Sequence, residues 1–262
     1  MKIINQIEHL RNLFKDLKFA EVIQIGMVTL RSSLDEKRYA DALVCYEYIA
    51  SAYFENGQFE SFLVVMKDYE KLCLTYGEDH NKVVFYYLLS LLHVLGKSYE
   101  ESIVATKKSI RYSHQLKRDE LLVINHCNIA AILAFTNQFD QANIAMRLAS
   151  YYKQNIPDLN DTIVRGGTGA LFYFALTKDS EGFYKTKREF LQHFTEEQSF
   201  YPIGILLAEA LLTFNLGQLQ ESNLFLEQAY QKLKEPTKWC IFNDYLYMYR
   251  TISTQGAISI YG

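Results

Sequence analysis

An aromatic or apolar residue followed by short polar and acidic positions returns along the chain at Phe19, Phe59, Tyr99 and Phe139, and the same place in the pattern then falls on Ser180 and Leu219. The intervals are 40, 40, 40, 41 and 39 residues. So even a spacing restricts the chain to a repeat array, in which each unit is one supersecondary element that buries its apolar face only by stacking on its neighbours. Such an array presents a surface, and a surface does not spell out its ligand.

The unit is helical. Three prolines and 12 glycines in 262 residues are too few for the many turns of a sheet protein, and the apolar residues recur at three and four. In the second period Tyr46, Ile49, Ala50 and Tyr53 define one helix face, Gly57 and Phe59 mark the turn, and Phe62, Met66 and Tyr69 define the next face. Two antiparallel helices joined by a tight turn are therefore the repeating piece. Small residues recur where paired helices cross, at Ala50, Ser90, Ala130 and Ala210, because backbones approach only where the side chain is short. Joints between units are expected at Ser32–Asp35, Tyr76–Asp79, Asn155–Asp158 and Lys234–Thr237, where helix stops meet capping residues, and Pro202 suits the first turn of a helix. No linker or low-complexity stretch divides the chain. The reading is all-α, a single right-handed superhelical solenoid over residues 1–262, with six helical hairpins and an unpaired helix near residues 240–255. Tyr245, Met248, Tyr249, Ile252, Gly256 and Ile258 repeat the first helix and turn of a seventh unit whose second helix is missing, so the chain is expected to be the N-terminal part of a longer protein.

This pattern resembles the tetratricopeptide repeat. The likeness rests on spacing: a small residue with an aromatic or apolar one three later, Gly57 and Gly217, Phe59 two beyond Gly57, then Ala142 and Ala149. The period departs from the family's usual 34 residues, and the Trp-Leu-Gly start is absent. HEAT-like hairpins, also with periods near 40, are the alternative; the Gly-x-aromatic turn favours the tetratricopeptide pattern. Units this long are similar to those of the peptide-pheromone receptors of Gram-positive bacteria and to arrays ahead of output domains in bacterial signalling proteins. That resemblance implies a groove for a peptide or protein segment or, alternatively, a sensory or dimerising region preceding an effector such as a nucleotide-cyclase-type domain. The helix-turn-helix with which the regulators of that group begin has no counterpart here.

Composition narrows the partners. A net charge of −3, from 27 basic and 30 acidic side chains without a basic stripe, argues against nucleic acid. No apolar run approaches the length needed to cross a bilayer, and the first residues lack the apolar stretch of a secretion signal, so a cytoplasmic protein is expected. Cys45, Cys73, Cys127 and Cys240 lie far apart within apolar segments, the usage of buried thiols in a reducing compartment, and no metal-ligand spacing occurs. No cofactor is expected.

Two segments invite a chemical reading. Arg165-Gly166-Gly167-Thr168-Gly169 lacks the Gly-Lys-Ser/Thr ending and the preceding strand of a phosphate loop, so close helix packing is the better account of its glycines. His126-Cys127-Asn128 puts a thiol beside an imidazole, yet adjacent helical residues point about 100° apart and no acidic residue stands at a helical offset to orient the histidine. A non-catalytic module is expected. In a superhelix of this type the first helices line the concave face, which places Tyr48, Tyr87, Asn128, Arg165, Phe172, Asn215, Asn243, Tyr247 and Arg250 as candidates to bind a peptide or partner segment. A homodimer through the terminal helix, by way of Tyr245, Tyr247, Met248 and Tyr249, is the expected mode of association.

Overall fold

The computed structural model describes residues 2–16, 18–156, 160–192 and 201–232. Twelve helices follow one another: α1 (Lys2–Lys15), α2 (Phe19–Asp35), α3 (Tyr39–Glu55), α4 (Phe59–Tyr76), α5 (Asp79–Leu95), α6 (Tyr99–Gln115), α7 (Asp119–Phe135), α8 (Phe139–Lys153), α9 (Asn160–Thr177), α10 (Ser180–Leu191), α11 (Tyr201–Asn215) and α12 (Leu219–Lys232). No strand occurs among the described residues. Each recurring aromatic or apolar residue opens the second helix of a pair, and consecutive helices pack as six hairpins. The further helix expected near 240–255 lies outside the described residues.

The forty-residue period has a simple origin. Helices α2, α3, α5, α6 and α7 are each 17 residues long and are followed by a three-residue turn, so one helix and its turn occupy twenty positions. The turn is the same each time. Between α3 and α4, Gly57 N–H donates to the Phe54 carbonyl at 3.0 Å and Gln58 N–H to the Tyr53 carbonyl at 2.9 Å, which satisfies two carbonyls at the helix end. The pattern needs a left-handed residue in the middle, with φ +72° at Gly57 and +80° at Gly217. Lys97, Asn137 and Lys178 fill that position in the third, fourth and fifth hairpins, at φ 57°, 59° and 60°.

The same turn also joins hairpins, centred on Lys37 between α2 and α3 and on Lys117 between α6 and α7. This corrects the expected joint at Ser32–Asp35: those residues are still helical, and Ser33 Oγ donates to the Thr29 carbonyl at 2.9 Å instead of capping a new helix. The joint at Tyr76–Asp79 stands where expected, with extended Gly77 and a reciprocal capping box between Glu78 and Asn81 opening α5. Pro202 sits in the first turn of α11.

Small residues set how closely helices cross. Ala50, Ser90, Ala130 and Ala210 are all fully buried. The buried face of α6 is Ser102, Ala105, Thr106, Ser109 and Ser113, and that of α8 is Ala142, Ala145 and Ala149. Hydroxyls on such faces find partners: Ser102 Oγ donates to the Ser90 carbonyl and Ser222 Oγ to the Ala210 carbonyl, each at 2.8 Å. Ser109 Oγ donates to the Val83 carbonyl at 2.8 Å and accepts from Asn125 Nδ2 at 2.9 Å, fastening α5, α6 and α7 together.

Hairpins do not all join alike. The first meets the second, and the third the fourth, mainly by packing the preceding second helix on the following first helix, α2 on α3 and α6 on α7. The second and third hairpins meet through a thinner contact, in which Tyr69 packs edge-on against Phe85. From α7 onward first helices pack on first helices instead, α7 on α9 and α9 on α11. Glycines permit the first of these contacts: a Cβ on Gly166 would lie 3.4 Å from the Cα of Ile124, and one on Gly169 only 3.0 Å from the backbone of Cys127 and Asn128. Gly167 is covered by the ring of Phe190. Helix α9 thus lies against the backbone of α7 and barely touches α8.

Candidate functional site

The candidate positions on the inner face are used largely for packing. Tyr48 lies under α1, where its hydroxyl accepts from Arg11 Nε at 3.4 Å and its ring meets Phe14. Tyr87 is 4% exposed and belongs to the main core. Asn128 backs onto Gly169, with its Nδ2 buried and without a hydrogen-bond partner. Phe172 packs on Phe135, and Asn215 Nδ2 donates to the Ala175 carbonyl at 3.1 Å, tying α11 to α9. Arg165 is on α9, its side chain outside the described residues. Asn243, Tyr247 and Arg250 also lie outside them. Tyr48, Tyr87, Asn128, Phe172 and Asn215 are all buried or half-buried. Among the described candidates, none is fully exposed.

An open concavity lies elsewhere among the described residues. Because α9 follows α7 and leaves α8, a cleft of about 410 Å³ opens between α8 and α10. Its floor is apolar: Val123 and Cys127 from α7, Met146 and Ala149 from α8, Ala170 and Phe174 from α9, beside Gly166 and Gly167. Val123, Cys127, Ala149 and Ala170 form, with Ile156, a small cluster separate from the main core. The rim is polar. Lys153 Nζ of α8 and Glu189 Oε2 of α10 meet at 2.7 Å, closing one end. Ser150 stands on one wall, with Glu181, Lys185 and Thr186 on the other. Asp179 is occupied as the cap of α10, its Oδ1 accepting from Gly182 N–H at 2.9 Å.

A second groove of about 370 Å³ lies in the third hairpin, lined by Tyr86, Leu89, His93, Glu100, Val104 and Lys108 among others. Aligned on their turns, Glu100, Val104 and Lys108 of α6 match Glu181, Lys185 and Glu189 of α10. Floor positions Tyr86, Leu89 and His93 likewise match Gly167, Ala170 and Phe174. The larger cleft is thus one repeat position in which Tyr and Leu of the floor give way to Gly167 and Ala170, while Phe174 stands in place of His93. Lys108 Nζ sits 4.9 Å over the Tyr86 ring, so the smaller groove is partly filled by its own side chains.

The thiol and imidazole of the helix-borne pair have structural roles. Burial pushes the Cys127 thiol up to about 12, which removes it as a thiolate nucleophile near neutrality. His126, 6% exposed, stacks on Tyr152 with centroids 5.8 Å apart. One hairpin earlier Tyr86 stacks on Tyr112 at 5.9 Å, so the histidine takes a tyrosine's place in a repeated stack. Burial, with the nearby His114, lowers its pKa to about 4. Neither ring nitrogen has a hydrogen-bond partner. No group of three or more His, Cys, Asp or Glu able to hold a metal occurs among the described residues. No described helix is long and apolar enough to cross a membrane.

No protein-family model matches the sequence, and no curated protein is significantly similar to it.

Proposed function

We propose that this chain is a non-catalytic interaction module that holds a segment of a partner protein or peptide, with the cleft between α8 and α10 as the seat of an apolar anchor side chain. The cleft's form carries this reading: about 410 Å³ of space with an apolar floor and a rim bearing both signs of charge. Its size is in the range of ligand pockets, and a few polar groups around an apolar floor fix orientation while burial supplies affinity. The array itself we read as a right-handed superhelix of the tetratricopeptide type, on the strength of the small residues at the helix crossings and the Gly-x-aromatic turn at Gly57. Buried free thiols at Cys45, Cys73 and Cys127 suit a reducing compartment such as the cytoplasm. A non-catalytic role agrees with a Cys127 held protonated and a His126 packed as a ring.

A random peptide library displayed on phage and panned on the whole chain tests the proposal. Selected peptides should carry an aromatic or large aliphatic anchor, and Ser150→Trp, which intrudes on the cleft from its exposed rim, should weaken them at least about tenfold, or about 1.4 kcal/mol. Asn215→Ala on the inner face should leave them bound. The opposite pattern, with binding lost in Asn215→Ala and kept in Ser150→Trp, returns the site to the inner face.

A further inference from the structure

Three successive second helices carry the same exposed triplet in the same register. It reads Glu60, Val64 and Lys67 on α4, Glu100, Val104 and Lys107 on α6, and Asp140, Ile144 and Arg147 on α8, all solvent-facing. The aliphatic members are 62%, 55% and 56% exposed, far from the burial such side chains usually find. Within each triplet the residues stand at i, i+4 and i+7, one stripe of the helix. None of the six charges has an ion pair or hydrogen bond among the described residues. The flanking hairpins break the triplet: the matching positions read Ala20, Gln24, Met27 before it and Glu181, Lys185, Arg188 after it. Helix α10 keeps an acid and a base at Glu181 and Arg188 but has Lys185 in place of the aliphatic, so the full triplet is confined to three successive hairpins.

Each stripe runs acid, aliphatic, base from helix start to helix end, with the aliphatic near the middle, about 6 Å from the acid and 4.5 Å from the base along the axis. A surface of this order is complementary to itself. Turned over about a two-fold axis lying along the array, a second copy would set its acids over these bases, its bases over these acids, and aliphatic on aliphatic. A two-fold parallel to the helices would set like charge on like and is excluded. We infer that the outer face of α4, α6 and α8 is an isologous dimer interface, with the second helices of the two copies antiparallel across it.

Sedimentation velocity of the full chain at micromolar concentration reads the outcome, with circular dichroism to confirm that each variant keeps its helices. The wild type should be a dimer, and Val104→Asp with Ile144→Asp should make it a monomer. An all-basic face (Glu60→Lys, Glu100→Lys, Asp140→Lys) and an all-acidic face (Lys67→Glu, Lys107→Glu, Arg147→Glu) should each weaken self-association by about tenfold or more. Mixed one to one, these two variants should recover a dimer. A monomeric wild type overturns the proposal, as does a dimer indifferent to both reversals or a mixture that does not associate. The Ser150→Trp variant should dimerise normally, so this test and that of the cleft fail separately.

Discussion

At the scale of single residues, His126 shows how a repeat tolerates an ionisable ring in its interior. The stack on Tyr152 uses only the ring's face, and both nitrogens are buried without partners, so the ring must stay neutral. Its pKa is lowered to about 4 by burial first and by His114 second. Between about pH 6.5 and 4 the unfolded chain takes up a proton that the folded chain refuses. The stability tied to this group is therefore whole above about pH 6.5 and lost as the pH falls towards 4, by about 3 kcal/mol in all. His126→Phe keeps a ring in the stack and removes the proton. Urea titrations at pH 7 and pH 4.5 should show the variant losing less stability than the wild type; equal losses would mean that His126 can protonate inside the fold.

At the scale of elements, the turn explains both what could be read in advance and what could not. Phe19, Phe59, Tyr99 and Phe139 were legible as a period because each opens a helix, and Gly57 and Gly217 because glycine advertises a left-handed backbone. Lys37, Lys97, Lys117 and Lys178 hold the same conformation without advertising it, since lysine is ordinary at a helix end. For that reason the joint after α2 was placed several residues early, on serines whose hydroxyls bond backwards within the helix. A left-handed conformation costs an L-residue roughly 1–2 kcal/mol, part of which glycine's greater freedom in the unfolded chain gives back. Lys117→Gly should therefore stabilise the protein by about 0.5–1 kcal/mol, and Gly57→Ala should destabilise it by about 1 kcal/mol. Thermal melts of the two variants check both signs, and a Lys117→Gly that melts lower would show that the left-handed turn carries no strain for glycine to relieve. The cleft was legible only in part: the glycines of α9 pointed to close packing, but periodicity is silent on which neighbour a helix approaches, and that choice opened the gap beside α8. The contacts that cover the described inner-face candidates were illegible for a similar reason. A spacing rule reports which way a side chain points, not what already lies there, as Arg11 and Phe14 lie on Tyr48.

At the scale of the whole molecule, stability follows the joints. Repeat arrays are held by nearest-neighbour interfaces, so the thinnest one divides them first. Among the described joints, the one between the second and third hairpins brings the least backbone close together, and there Tyr69 meets Phe85 and its hydroxyl donates to the Asn81 carbonyl at a long 3.4 Å. Native-state hydrogen exchange should show α1–α4 opening together at a lower free energy than α5–α9, whose crossings are closer and fastened by buried hydroxyls. One common opening energy for all these helices would show the joint to be as strong as the rest. A chain jointed this way behaves as links in series under load. Pulled from its two ends, it would yield near Gly77 first, and the cleft, which lies wholly beyond that joint, would keep its shape while the first four helices paid out.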